Sequence, residues 1–449
     1  MKKKNKESIT DVFVSNLMDF AERPISDEVM HHARKCYLDY LGCVIAGYKQ
    51  NKEKIDALER IGLLTQGNCT VLGSDKKLLF RDAGFVNGFN AHAMELDDGH
   101  RYAMLHIEAP VFSAMTALYE QEHISAEALY KGVIVGYEVT VRLSRAMQPW
   151  HKVRGFHSTG TCATVGVAMA VAAALDYDFN QMKSALSAAA SSAAGLLEML
   201  ADDSELKPYN VGRAVMDGLT AAYVGKVGYI SPNDIIGGKR GLLNVMTDTQ
   251  NTIFLEKFDE KDAPCIMGNF FKPYPACRHC HSTIDAALQI ANENDIAPEA
   301  IEKIKIGAYK LALTGHDHTN VNSTKSAMMS IPYGAVVALV KKDAGLSQYS
   351  YEIVLSEPVQ NLLKKVEIVE DPELTSLLPD IRGAKVEVKT AKKEYRSRIN
   401  YSLGEPENPM GDDAIIGKFH DLAKYVGLKK SIADTIVRDV FNGKIITKF

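Results

Sequence analysis

Two short stretches of this 449-residue sequence concentrate the side chains used in acid–base chemistry. The first runs His92-Ala93-Met94-Glu95-Leu96-Asp97-Asp98-Gly99-His100-Arg101 and continues to His106, ahead of an apolar helical pattern from Pro110 to Tyr119. Pro110 is expected at the first position of that helix, where its missing N–H costs nothing. The second runs Arg154-Gly155-Phe156-His157-Ser158-Thr159-Gly160, with Ser158 or Thr159 expected to cap the small-residue helix that follows. A helix start presents unpaired N–H groups and the positive end of a dipole, which favour an anion and disfavour an imidazolium. A neutral histidine held there can act as a general base.

Two lysines stand beside proline. Lys207-Pro208-Tyr209-Asn210 leads into a helix containing Arg213, and Lys272-Pro273-Tyr274-Pro275 leads into Cys277-Arg278-His279-Cys280-His281. Lys272 opens a new texture of sequence, and boundaries between domains are where small-molecule clefts form. The Cys277/His279/Cys280/His281 cluster has zinc-binding residue types but lacks a second pair at matching spacing, so no metal is expected. A zinc-stabilised binding protein is the non-enzyme alternative. Gly237-Gly238-Lys239-Arg240-Gly241 lacks the phosphate-loop spacing, no early strand is followed by GxGxxG, and no GxSxG elbow occurs. No nucleotide cofactor is therefore expected.

These residues need a scaffold, and the sequence supplies two kinds. Up to about residue 230 the periodicity is helical: Phe13, Leu17, Phe20 and Ala21 share one face, and Val29, Ala33, Cys36, Tyr37 and Tyr40 another. Ser26 reads as the N-cap of the second helix, and the Ala/Ser/Gly-rich segments 159–175 and 179–200 read as closely packed central helices. From about 266 to 400, period-2 runs at Lys303–Ile306, Val366–Val369, Lys385–Val388 and Glu394–Ile399 alternate with helical patterns near 282–293 and 327–342. Helix returns at Asp412–Tyr425 and Lys430–Phe441. The fold class is thus mainly α with an α+β insertion: 1–265 helical, 266–400 α+β, and 401–449 returning to the helical domain.

Composition narrows the function classes. With 52 Lys+Arg against 56 Asp+Glu, the net charge is −4, so no overall basic field exists for nucleic acid or anionic lipid. The longest small-apolar segment, Thr161–Leu175, is shorter than the roughly 20 residues a membrane span needs. Seven scattered cysteines do not form a disulfide framework, and the start of the chain lacks a signal-peptide core; a cytoplasmic location is expected.

With these motifs in order, the sequence resembles the MmgE/PrpD family, which includes 2-methylcitrate dehydratase, cis-aconitate decarboxylase and iminodisuccinate epimerase. The resemblance is carried by Leu38-Asp39-Tyr40-Leu41-Gly42, Asn87-Gly88 through Asp97-Asp98, Gly155-Phe156-His157-Ser158-Thr159-Gly160, and Lys207-Pro208 with Gly212-Arg213-Ala214. It continues through Lys272-Pro273-Tyr274-Pro275 with Cys277-Arg278-His279, Ser330-Ile331-Pro332-Tyr333 and Pro406-Glu407-Asn408-Pro409. It implies a large helical domain built from both chain ends, a smaller α+β lid, an active site in the cleft, no metal or cofactor, and a homodimer. It also implies site residues at Glu95, His106, His157, Lys207 and Lys272.

The implied chemistry is removal of a proton beside a carboxylate, which demands stabilisation of an enolate-like transition state. Lys207, Lys272 and Arg278 suit carboxylate binding, with Arg101, Asp97 and Gly99 also expected at the substrate. His157 is the candidate base and His106 the acid, roles that can be exchanged, with Asp97, Asp98 or Glu95 orienting an imidazole. The expected activity is a metal-independent hydro-lyase of the 2-methylcitrate dehydratase type acting on a small polycarboxylate. The alternatives are an epimerase of a small dicarboxylate or a cis-aconitate-type decarboxylase. Two departures from the family pattern, Ile107-Glu108 after His106 and Gly99 in place of threonine, point away from decarboxylation.

Overall fold

The computed structural model describes residues 7–201 and 204–449, and the chain divides into two compact units. One takes the chain through Ala201, Glu205–Asn269 and Gly411–Phe449; the other is Phe270–Met410.

The first unit is helical. Helix α1 (Ile9–Ala21) buries Phe13, Leu17 and Phe20 on one face. Helix α2 (Asp27–Arg60) begins at Ser26, whose hydroxyl accepts from Val29 N, and buries the Val29, Ala33, Cys36, Tyr37 and Tyr40 stripe. A short antiparallel pair, β1 (Gln66–Thr70) and β2 (Lys77–Leu78), interrupts the helices. It was not expected, because five and two residues are too few for a period-2 pattern to register.

Seven helices follow: α3 (Phe80–His92), α4 (Glu108–Glu122), α5 (Ala126–Met147), α6 (Trp150–Val153), α7 (Ser158–Ala174), α8 (Phe179–Ser192) and α9 (Lys207–Val227). Every residue of α7 is buried, which its small side chains permit by letting neighbouring backbones approach. At Gly166 a Cβ would stand 1.8 Å from Thr140 Oγ1 on α5. Alanine there overpacks the crossing at a cost of about 1–3 kcal/mol.

Helix α8 ends at Ser192 rather than continuing to residue 200 as expected. The reason is a competing backbone pairing: Gly195 O accepts from His157 N at 3.0 Å, and Leu197 N donates to Gly155 O at 2.8 Å. Gly195 takes φ 145°, a conformation glycine alone adopts readily. The chain leaves the helix to hold the segment that carries His157.

The return helices Asp412–Val426 and Lys430–Phe441 pack in this same unit. Lys418 on the first of them is buried, lies 2.6 Å from Asp39 on α2, and donates to Leu96 O at 2.7 Å. That bond ties the C-terminal return to the loop between α3 and α4.

The second unit contains a four-stranded sheet in the order β4-β3-β5-β6, from β3 (Ile301–Ala308), β4 (Val366–Glu370), β5 (Ala384–Thr390) and β6 (Glu394–Ile399). The β3/β4 pair is parallel and the others antiparallel. Ile304, Ile306, Val386 and Val388 point into a core shared with the helices Arg278–Glu293 and Ile331–Lys341. The architecture is a large, mostly helical domain from both chain ends plus a smaller mixed α/β region. Among the described residues no helix is long and apolar enough to cross a membrane.

Candidate active site

The loop between α3 and α4, residues 93–107, is fixed by Asp98. Its Oδ1 accepts from Ile107 N at 3.0 Å and Glu108 N at 2.9 Å, and its Oδ2 from Tyr137 Oη and Asn269 Nδ2, both at 2.8 Å. Burial outweighs these donors and pushes the carboxyl pKa up to about 6. Two expectations change here. Helix α4 starts at Glu108, so Pro110 is its third residue rather than its first. The anion at this helix start is Asp98 itself, which satisfies the amides that open the helix.

Asp98 also sets the tautomer of His106. Its backbone carbonyl lies 2.6 Å from His106 Nδ1. A carbonyl only accepts, so Nδ1 carries the hydrogen and Nε2 is the acceptor nitrogen of the neutral ring. His106 N in turn donates to Thr159 Oγ1 at 3.0 Å.

His157 is itself the N-cap residue of α7 and makes no side-chain cap bond. Ser158 and Thr159 do not cap the helix as expected, because they lie within it and their hydroxyls face other partners: Gln148 and His151 for Ser158, His106 N for Thr159. The Asn210 amide nitrogen lies 3.3 Å from His157 Nδ1 and 3.2 Å from Met199 Sδ. An NH2 group only donates, so Nδ1 accepts and the ring hydrogen sits on Nε2. Burial drives the His157 pKa well down, and positive charge on Lys207, His92 or His106 lowers it further. The two rings are thus opposite tautomers: His106 presents an unprotonated Nε2 and His157 an Nε2–H.

Lys207 is the first residue of α9, and its Nζ meets both oxygens of Glu95 at 2.5 and 2.7 Å. Glu95 is buried and holds a left-handed backbone conformation, φ 53°, uncommon for a residue with a Cβ. Such backbone outliers persist where surrounding structure over-determines them and cluster at functional sites.

Beneath His106, Asp97 Oδ2 lies 2.7 Å from His92 Nδ1 and 3.6 Å from His106 Nδ1; all are buried except for a 15% exposed His106 side chain. The ligand-type atoms of these three residues lie within 4.8 Å of one another. With a hydrogen on His92 Nδ1, the three read as two imidazoles sharing one carboxylate. A second acidic group, Asp39, Cys43 and Glu108, is likewise close. There the cation is already present: burial opposes the charge of Lys418, yet Asp39 holds its pKa well above the usual lysine range. Burial and the Asp39 charge push the Glu108 pKa well up.

In the second unit Lys272 is buried, six residues before Arg278. The Arg278 guanidinium donates to Glu405 Oε1 at 3.0 Å, Leu403 O at 3.1 Å and Phe271 O at 3.3 Å, and stacks on Phe270. It fastens Phe270–Lys272 to residues 402–405. His281 Nε2 meets Ala276 O at 3.1 Å, and His279 Nδ1 meets Tyr309 Oη at 2.5 Å. Among the described residues the Cys277–His281 cluster is not one of the groups whose ligand atoms converge.

Of the expected site residues, Glu95, Asp97, Asp98, Gly99, Arg101, His106, His157 and Lys207 belong to the first unit, and Lys272 and Arg278 to the second. Within the first, His106 and His157 are linked through Thr159, and the Lys207 charge acts on His157. Arg101 is buried with its guanidinium over Tyr102, and Gly99 is buried between Asp98 and His100. Sequence reasoning missed Asn210, Tyr137 and Asn269. Asn210 had a signal, being three residues after Lys207 and so on the same helical face.

Residues 15–254 match the MmgE/PrpD N-terminal domain and residues 274–441 the MmgE/PrpD C-terminal domain. Similar proteins include the cis-aconitate decarboxylase of Mus musculus, 23% identical over 92% of this chain and 86% of its own length. The Homo sapiens cis-aconitate decarboxylase is 24% identical over 92% and 87%. The cis-aconitate decarboxylase-like protein oryM of Aspergillus oryzae is 23% identical over 90% and 88%. With the two family domains present in order along the chain, this protein belongs to the MmgE/PrpD family.

Proposed function

We propose that this protein is a lyase acting on a small polycarboxylate, with decarboxylation of a cis-aconitate-type acid as its reaction. The observation that carries the lyase reading is the pair of histidines, His106 with Nδ1 on a carbonyl and His157 with Nδ1 on an amide N–H, beside the Lys207 ammonium at a helix start. The decarboxylation reading rests on the names of the similar proteins, against the expectation drawn from Gly99 and Ile107-Glu108.

Loss of carbon dioxide from the allylic carbon leaves an electron pair delocalised through the double bond toward a carboxylate, and one carbon of that anion must then take a proton. Burial makes the His157 imidazolium a strong acid: once the ring has taken a proton from solvent, its Nε2–H passes to this carbanion and the ring returns to the neutral form. Lys207 binds a substrate carboxylate in competition with Glu95, and carboxylate binding by Lys272 is a role taken from the family resemblance. His106, Lys207 and Glu95 then fix the substrate's orientation. The protein acts in the cytoplasm as a homodimer and requires no metal.

A second reading has its own support. Water loss from a 2-methylcitrate-type hydroxy acid needs a base for the C–H proton and an acid for the departing hydroxide, and His106 with His157 forms such a pair. The roles are then reversed from the sequence expectation, with His106 the base. A thermal-shift screen of cis-aconitate, citrate, 2-methylcitrate and iminodisuccinate, followed by proton NMR of each hit, separates the reactions. Loss of a carboxyl carbon with a new C–H supports decarboxylation, and a new alkene without carbon loss supports dehydration. No turnover of any polycarboxylate contradicts both.

A further inference from the structure

His92 is the imidazole that neither the resemblance nor the reaction uses, and its surroundings are specific. It closes α3, is fully buried, and gives its Nδ1–H to Asp97 Oδ2 at 2.7 Å. The same oxygen lies 3.6 Å from His106 Nδ1, and the two rings pack edge to face with centroids 4.7 Å apart. His92 Nε2 is buried and has no hydrogen-bond partner. One carboxylate thus stands between two imidazoles, bonded to one and within a small rotation of the other.

We propose that His92 is a positioning residue that sets the basicity of His106 through their shared carboxylate, Asp97. This rests on the reading of His106 as the proton-accepting histidine. While neutral, His106 gives its Nδ1–H to Asp98 O. When Nε2 takes a proton, the imidazolium is drawn to Asp97 Oδ2. How strongly it is drawn depends on how much of that oxygen's accepting capacity His92 already uses. With His92 in place the charge on His106 is stabilised only in part, so the ring gives its proton up again and can turn over. Without the His92 donor, more of the accepting capacity of Asp97 Oδ2 goes to His106, and the pair holds a proton more tightly.

Other ionisable groups around the pair are Glu95, Asp98, His100 and Arg101 in the same loop, Glu108 on α4, His157 ahead of α7, Lys207 on α9, Asp39 on α2 and Lys418 on the return helix. Substitution at His92 leaves all of them in place but also removes an imidazole packed on His106, so the asparagine variant, which lacks that ring and keeps the donor, is what traces a shift to the Asp97 bond.

The test is an NMR titration of ring-labelled histidine in the full-length protein, with the His106 signal identified from its loss in His106→Asn. His92→Phe fills the space without a donor, and His92→Asn restores an N–H close to the position of Nδ1. The expected result is a His106 midpoint raised by about one pH unit in His92→Phe and returned to the wild-type value in His92→Asn. Should the phenylalanine variant not fold, His92→Gln, whose amide lies beyond the Nδ1 position, carries the comparison with asparagine. An unmoved midpoint in a folded donor-less variant, or the same rise in His92→Asn, overturns the proposal. The titration needs no turnover: an absent lyase activity refutes the functional reading while leaving this result to stand or fall by itself.

Discussion

Two segments of this chain look equally reactive as strings of letters: His92 to His106 in the first unit and Cys277 to His281 in the second. The structure gives them different lives. In the first, backbone and carboxylate acceptors take the Nδ1 side of His92 and His106, which leaves Nε2 of the partly exposed His106 as its acceptor nitrogen. In the second, Arg278, His279 and His281 bond to Phe271 O, Leu403 O, Glu405, Tyr309 and Ala276 O, all within their own unit. The polar groups there hold strand and helix ends together. Density of ionisable residues does not distinguish a site from a clamp; the side of the ring that the scaffold occupies does.

The sharpest way to break this contrast is by substitution on either side. His106→Asn and His157→Phe are each expected to lower kcat about 10²- to 10⁴-fold, the usual contribution of a positioned acid or base, with thermal midpoints little changed. Arg278→Met should do the reverse. Losing a buried, paired guanidinium destabilises by about 3–5 kcal/mol, read by urea unfolding. If His106→Asn unfolds the protein and Arg278→Met abolishes activity at full stability, the contrast is inverted.

Acid stability sharpens it next. Burial lowers the His151 pKa to about 4, while the unfolded ring titrates near 6.5. The folded chain therefore binds fewer protons in that window. Stability is fully present above pH 6.5 and falls as pH drops toward 4, by on the order of 3 kcal/mol for this ring. His157, also lowered, acts in the same direction. Asp98, raised to about 6, acts oppositely between about pH 6 and 4. His151→Gln should flatten the acid limb of the unfolding free energy against pH, and an unchanged limb would count against a buried neutral ring.

Smaller effects follow. Lys272→Ala is expected to weaken binding of a polycarboxylate by about 1.5–3 kcal/mol, measured by calorimetry, as for a hydrogen bond to a charged group. Chelator treatment should leave both the thermal midpoint and turnover unchanged. A drop in the midpoint restored by zinc would return the Cys277–His281 segment to the metal-binding class.

Much of the fold was legible because it is written in local periodicity. The runs at Lys303–Ile306, Val366–Val369, Lys385–Val388 and Glu394–Ile399 are strands β3 to β6, and the apolar stripe from Val29 to Tyr40 faces inward. What periodicity cannot carry was missed. The end of α8 at Ser192 is decided by backbone pairing with residues 155–157, a contact between segments some 40 residues apart along the chain. The Lys418 to Asp39 pair joins opposite ends of the sequence and has no local signal. Within the site, residue types marked His106, His157, Glu95 and Lys207. The protonation pattern depends on Asp98 O and Asn210, which only the folded chain brings to those rings.

The most direct measurement is the reaction of cis-aconitate in D2O, followed by proton NMR, with wild-type protein and with His157→Phe. Expected is carbon dioxide loss with one solvent deuterium delivered to a carbon of the allylic system that carbon dioxide leaves behind, at a rate at least about 100-fold lower in the variant. Equal rates for the two proteins would contradict the assignment of His157 as proton donor, and no reaction by wild-type protein would contradict the decarboxylation itself.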